Sequence, residues 1–478
     1  MNILKKLFDM EKGFYKRVLV LALPIAMQSL ITIGVNMLDN IMVGKLGETE
    51  LSAVSLANQY ISIYHIFCMG LGMGASVLVS RYWGMREKEP EKAMTALRKT
   101  ICIMVRLTVS LAAIFALLTY LIPEPIMRLF VKEEEAGIIE NGMVYLQFSI
   151  ITFFFLGLSL TSTIVLRSVG QVKMPLYVSI GAFFVNLGAN WALIFGHLGL
   201  PKMGIAGAAL GTLIARIYET SVICGYLFFI DKKIGFRLKN LFMKTGDLIG
   251  EYVRISIPVL ISDSILAFGN TAVAMVIGRL GESFVAANSV TATTQQMSSV
   301  MIQGVCQAGA IVTGQTLGHG EREKAQRQGF GFLGFGIALG LVSAAFIILA
   351  SGPIIGYFSL SEGTANMATS LMDAISLIVV FQATNSIMTK GVLRGGGDTK
   401  MLMLADNVFL WVLSIPLGIF AGFVWHLSPF WIYICLKSDQ ITKAIWCVVR
   451  LRSGKWIKKI KTGTHEAEPA LESGAENE

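Results

Sequence analysis

Residues 37–55 read MLDNIMVGKLGETELSAVS, and residues 276–289 read VIGRLGESFVAANS. The shared core is an apolar helix end, then Gly-Lys/Arg-Leu-Gly-Glu, then a second apolar run. Aligned at an offset of 234 residues, Pro24 meets Pro258, Asn36 meets Asn270, and Gly44 meets Gly278. Leu46, Gly47 and Glu48 meet Leu280, Gly281 and Glu282. Gly70 meets Gly304, and Gly84 meets Gly318. VLRSVGQVK (165–173) pairs with VLRGGGDTK (392–400) at an offset of 227. The chain is therefore a tandem duplication. The glycines of the repeated turn read as the permissive backbone of a tight inter-helix loop rather than as ligands.

Each half is built of spanning runs. A transmembrane helix needs about 20 predominantly apolar residues. Twelve such runs follow one another, near 18–43, 52–80, 100–122, 142–165, 174–197, 204–230, 255–278, 285–314, 329–351, 366–390, 401–425 and 428–449. The last is the weakest, because Lys437, Asp439, Gln440 and Lys443 interrupt it; a short, tilted or bent span is expected there. The chain has 478 residues, 54% hydrophobic and 15% charged. A soluble domain carries about 25% charged residues. The reading is an all-α polytopic membrane protein with about twelve transmembrane helices in two parallel six-helix repeats.

Charge placement orients it. With the N-terminus inside, 30 of the 40 Lys and Arg fall in inside segments and 5 in outside segments. That is the positive-inside pattern, and an even span count puts both termini in the cytoplasm. The expected division is a leader 1–17, a bundle 18–230, a cytoplasmic linker 231–254, a second bundle 255–450, and a tail 451–478 that is basic and then disordered. The net charge of +9 is spread between spans and forms no basic face, so no nucleic-acid partner is expected. The six cysteines lie singly within apolar runs and read as small buried hydrophobes. The five histidines have no paired spacing, and no GxxxxGK[ST] motif is present, so neither an intramembrane enzyme nor an ATPase is indicated.

Polar residues within the spans are the candidate sites. Asp39 sits in the outer half of span 1, where a carboxylate costs on the order of 3 kcal/mol. Asn36 is one turn earlier, on the same face. Asn186 and Asn190 share a face of span 5, and Asp263 follows Pro258 on span 7. Gln295, Ser299, Gln303 and Gln307 recur every four residues along span 8, a polar stripe expected to face a cavity or span 7. Asp373 and Asp406 lie near or within spans 10 and 11. Arg216 and Glu219, three apart on span 6, read as a self-neutralising structural pair, and Lys390 as a snorkelling cation.

Taken in order, LDNIMVGKLGETELSAVSLANQ, GMGASVLVSRYWG, LRSVGQVKMPLYVSIGAFFVNLGANWALIFG, VIGRLGESFVAANSV and VLRGGGDTKM resemble the multidrug and toxic compound extrusion (MATE) transporters, over about residues 15–455. The resemblance implies two six-helix bundles around a central cavity, and a secondary antiporter that exports organic cations or drugs in exchange for H+ or Na+. It implies a coupling-ion or substrate site at Asp39, with Asn36, Asn186, Asn190 and Thr212 around it. Asn190 stands where archaeal and some bacterial members carry an acid. Asp263 stands near a span-7 glutamate of other branches; Gln382 and Asn385 fall where sodium-coupled branches carry a span-10 acid. Gln295, Gln303 and Gln307 complete the expected set, and Asp39 and Asp263 are the candidate Na+ ligands. No cofactor beyond the coupling ion is implied. The expected setting is a monomer in the bacterial cytoplasmic membrane, taking small cationic or amphiphilic substrates from or across the lipid bilayer. The competing reading is a lipid-linked oligosaccharide flippase of the same superfamily.

Overall fold

The computed structural model describes residues 13–130, 135–357 and 361–458. Residues 1–12 of the expected leader, Lys132, and residues 459–478 of the expected tail lie outside them. Among the described residues every regular element is helical. The first half comprises α1 (Phe14–Gly44), α2 (Glu48–Met85), α3 (Pro90–Leu121), the short α4 (Pro123–Arg128), α5 (Ala136–Ser149), α6 (Thr152–Ser168), α7 (Lys173–Phe195) and α8 (Ile205–Gly225). The second comprises α9 (Gly246–Arg279), α10 (Glu282–Gly318), α11 (Arg322–Tyr357), α12 (Glu362–Ser386), α13 (Thr399–Val408), α14 (Ile415–Ile419), α15 (Pro429–Leu436) and α16 (Ser438–Arg452). Turns of π-helix at Tyr226–Ile230, Ile387–Leu393, Phe409–Ser414 and Phe420–Val424 prolong α8, α12, α13 and α14.

Each of the twelve expected spans has its helix. Nine of the described helices are long and apolar enough to cross a bilayer, or ten when α5 and α6, bent by 59° at their junction, count as one span. The other two expected spans fail that test for physical reasons. The 37-residue α10 is too polar to face lipid, and it packs among α1, α2, α11 and α12. The last span is broken at Lys437 into α15 and α16, the bend expected from its charges. The helices run past the apolar cores, so the linker expected over 231–254 already enters α9 at Gly246. Large apolar side chains such as Leu121, Val342 and Leu349 stand more than half exposed, as lipid-facing residues do.

Local sequence sets the helix ends. Pro90, Pro123 and Pro429 sit in first turns, where a missing N–H costs nothing. The repeated turns hinge on Gly47 at φ 154° and Gly281 at φ 118°, backbone that favours glycine.

The two halves meet about an internal two-fold axis that the contacts make visible. Gly84 and Gly318, equivalent in the repeat, abut: a Cβ on Gly84 would run into the Gln315 carbonyl, and one on Gly318 into the Arg81 carbonyl. Farther along, Gly70 lies against Leu260 of α9, and Gly304 against Ala26 of α1. These are again equivalent pairs. All these contacts fall in the half of the bundle that carries residues 13 and 458, here the termini end. Arg17 Nη2 donates to Gln315 Oε1 at 2.8 Å, and Arg81 of α2 donates to the carbonyls of Lys458 (2.7 Å) and Gly396 (3.2 Å). Trp456, fully buried, pins that last described segment by its Nε1–H bond to Gln326 at 2.7 Å. No hydrogen bond between the halves is described in the other half of the bundle, where Met37 of α1 and Met275 of α9 are exposed. The halves therefore form a V closed at the termini end.

Gly84→Ala and Gly318→Ala each place a methyl group against backbone, so each should lower stability by about 1–3 kcal/mol. Gly278→Ala, which meets nothing within 4 Å, should not. Thermal unfolding of the detergent-solubilised protein checks this; equal melting temperatures for all three would refute the packing described.

Candidate functional site

In the first half, α1 presents Asp39 to the face of α7 that carries Asn186 and Asn190. Asn190 Nδ2 donates to Asp39 Oδ1 at 2.6 Å and reaches Asn186 Oδ1 at 3.3 Å. Asn186 and Asn190 are buried, while Asp39 keeps partial exposure. Among the described residues Asn190 Oδ1 has no hydrogen-bond partner. Gly211 lets α8 close on this pair, since a Cβ there would strike Asn190 Oδ1. Thr212 follows it and lies beside buried Tyr145 of α5, whose hydroxyl bonds Asn58 Oδ1 at 3.4 Å. Asn36 stays outside the cluster: it is exposed and makes no described hydrogen bond. Three helical residues leave about 60° between two side chains, enough to turn Asn36 away from α7.

Arg216 bonds Glu219 at 2.6 Å, the expected pair. It also lies within electrostatic range of Asp39 and Tyr145, so it faces the site and is not structural alone. Tyr145, Asn58 and Arg216 were not legible as site residues, because their helices carry no periodic polar face that would single them out.

The second half is arranged differently. Asp263 does not stand free: Arg394 Nη2 donates to its Oδ1 at 3.1 Å, and Arg394 is 4% exposed. The span-8 stripe divides. Gln295 Nε2 bonds Gln382 Oε1 of α12 at 2.6 Å, not a residue of span 7. Gln307 accepts from Arg167 Nη1 at 2.5 Å, and Gln303 is exposed. Asn385 bonds Gln440 of α16 at 2.9 Å. Thus the expected set divides: Asp39, Asn186 and Asn190 gather in the N-half, Asp263, Gln295, Gln382 and Asn385 make C-half contacts, Gln307 joins the halves, and Asn36 and Gln303 are exposed. Asp373 is exposed, as is Lys390.

Arg167 of α6, which bonds Gln307 across the halves, also donates to Gln28 of α1 in its own half, and Gln315 Nε2 donates across the halves to the Ser168 carbonyl at 3.0 Å. These bonds floor the V. Above them the hydrogen bonds described for Asp39 come from neutral amides alone, with Arg216 in electrostatic range but not ion-paired to it.

The sequence matches the MatE family over residues 24–192 and 258–420, the two halves of the duplication. It is 26% identical over 414 residues to the multidrug resistance protein NorM of Burkholderia vietnamiensis, covering 84% of this chain and 86% of that protein. It is 22% identical to the uncharacterized transporter YisQ of Bacillus subtilis, covering 88% of this chain and 90% of that protein. Among solved structures, an outward-facing conformation of a multidrug resistance MATE family transporter superposes with a TM-score of 0.81 at 19% identity, over 93% of this chain and 99% of that one.

Removing Arg394 leaves Asp263 facing the protein interior without its counter-ion. Arg394→Met should cost on the order of 3 kcal/mol. Asp263→Asn/Arg394→Met should recover part of that loss. A double variant no more stable than the single one, by thermal unfolding, would mean that the Asp263–Arg394 pair does not anchor α9.

Proposed function

The chain belongs to the MatE family of transporters, and from that premise we propose a secondary antiporter that exports small cationic or amphiphilic drugs in exchange for H+ or Na+. The protein works as a monomer with both termini in the cytoplasm of a bacterial cell. The V closed at the termini end is then its outward-open state. The coupling cation enters from outside and reaches Asp39.

The observation that carries this reading is the Asp39–Asn190–Asn186 cluster. A partly exposed carboxylate within a spanning helix, dressed by amides and lacking a bonded counter-ion, attracts a cation. A proton there removes the charge that Asn190 Nδ2 now answers; a sodium ion would find the Asn190 Oδ1 acceptor beside it. Either event changes what holds α1 against α7. A ligand can shift the two packings only by its difference in affinity for them, and Asp39 differs most with its charge. The membrane potential adds about 2.3 kcal/mol per charge per 100 mV to inward cation movement.

The flippase reading needs free cations in the cavity. Arg216 is paired with Glu219, and Arg106 donates to the carbonyls of Leu241 and Met243 at the linker. That leaves Lys390, which favours the antiporter.

In vesicles, a proton or a sodium gradient imposed alone should drive a fluorescent cationic dye. Asp39→Asn should reduce that movement at least about tenfold, the effect of losing roughly 1.4 kcal/mol of coupling. Full dye movement in Asp39→Asn would remove Asp39 from the coupling path, and no movement by the native chain with either gradient would overturn drug export.

A further inference from the structure

A second charge cluster lies in the other half, and the exchange proposed above does not use it. Asp406 of α13 and Asp439 and Lys443 of α16 are 5%, 2% and 2% exposed. Lys443 Nζ lies 3.4 Å from Asp406 Oδ1 and 3.1 Å from Asp439 Oδ2. Ser262 of α9 donates to Asp406 Oδ2 at 3.2 Å, Ser414 donates to Asp439 Oδ1 at 3.3 Å, and Gln440 Nε2 donates to Asp439 Oδ2 at 2.6 Å. Gln440 in turn accepts from Asn385 Nδ2, and Asn385 Oδ1, buried, accepts from no described group.

The surrounding charges are accounted for. Lys437, at the break between α15 and α16, is within electrostatic range of Asp439 and Lys443 but forms no described ion pair. Cys447 of α16 lies near Asp406 and Lys443. On α9, Asp263 is taken by Arg394, which follows the π-helical turn after α12, and Lys390 of that turn is exposed near Cys306 of α10.

Two carboxylates thus share one ammonium group in the interior of a membrane bundle. The ion-paired trio carries one net negative charge, with Lys437 nearby but outside the described pairs, and Asn385 Oδ1 at the end of the hydrogen-bond chain has no described donor. A proton on Asp439 neutralises the trio and, with the Gln440 amide turned over, lets Gln440 Nε2 donate to Asn385 Oδ1. A metal ion does not fit, because the seat between the carboxylates is filled by Lys443 Nζ. The helices that carry the cluster are also irregular: α13 runs into π-helix at Phe409–Ser414, and the last span breaks at Lys437. Such turns often mark functional sites, and Ser414, at the end of one, bonds both Asp439 and the Leu436 carbonyl.

We propose that Asp406, Asp439 and Lys443 form a second, proton-specific site in the C-terminal half. A hydronium ion gives its proton to a carboxylate oxygen, forming one O–H bond and leaving water. The reverse step returns the proton to water on the other side. Loss of one carboxylate charge weakens the hold of Lys443 across α13 and α16 and frees those helices to repack. As transport chemistry this rests on the exchange reading above; as a titrating site it stands apart from it.

The test is infrared difference spectroscopy of the reconstituted full chain between alkaline and acidic pH, with proton-driven movement of ethidium measured on the same vesicles. The native protein should show the carbonyl stretch of a buried carboxylic acid, growing as pH falls. Asp406→Asn or Asp439→Asn should abolish or shift it and cut proton-driven ethidium movement at least about tenfold. Lys443→Met should make the band persist at least one pH unit higher, a tenfold gain in proton affinity. A band that Asp39→Asn abolishes, or that Asp406→Asn, Asp439→Asn and Lys443→Met all leave in place, overturns the proposal, as does a native protein with no titrating band. If the two asparagine variants fail to fold, the effect of Asp39→Asn on the native band still decides. A native chain that shows the band but moves no ethidium leaves this site standing and refutes the exchange reading.

Discussion

The contact between Gly84 and Gly318 is the constraint on which the remaining geometry depends. Helices in lipid gain no hydrophobic attraction for one another, so close association relies on packing at small residues. Here the smallest residue occurs at the same repeat position in both halves, and the two backbones touch on the internal axis. That contact fixes the depth at which α2 meets α10. It brings Arg17 to Gln315 and Arg81 to the last described segment, and sets Arg167 between Gln28 and Gln307. It also decides what stays open. With the V closed there, α1 and α9 diverge toward the other end, and Asp39 retains access.

Duplication supplied one scaffold, but the two copies have come to hold charge in different ways. Arg167 and Arg394 occupy equivalent places in VLRSVGQVK and VLRGGGDTK. Arg394 found a carboxylate, Asp263; Arg167 is held by two glutamine side chains, one from each half. The bonds of Arg394 therefore stay within its own bundle, while those of Arg167 reach the other. The acids diverged too. The first half keeps one carboxylate among amides, the second gathers two about a lysine. Equivalent backbones with unequal charges make it possible for the halves to respond to different cations.

The fold was largely legible because membrane burial and duplication both write themselves into sequence at long range. Span lengths, the GKLGE and GRLGE turns and the charged last span all led to the architecture observed. The Asp39–Asn190 contact was legible because both residues are polar exceptions in apolar helices. The partners were not. Asp263 reads either as a cation ligand or as half of an ion pair until the fold brings Arg394 within reach. Asp439 and Lys443 read as flaws in a weak span, yet they are i,i+4 neighbours aimed at Asp406 of the preceding span. Sequence spacing reports which side chains share a face, whereas the identity of the facing helix is a tertiary fact.

The strap at the termini end has a consequence for biogenesis. The guanidinium of Arg81 is answered by the carbonyl oxygens of Gly396 and Lys458, more than three hundred residues downstream. A ribosome delivers Gly396 only after ten spans have been made, and Lys458 only after all twelve. Through most of translation, then, the first bundle carries a cation whose partners do not yet exist, and Trp456 reaches its burial site after nearly all the helices are in place. Assembly of the closed end is thereby timed to the end of synthesis, so a nascent first half has no premature lock to undo.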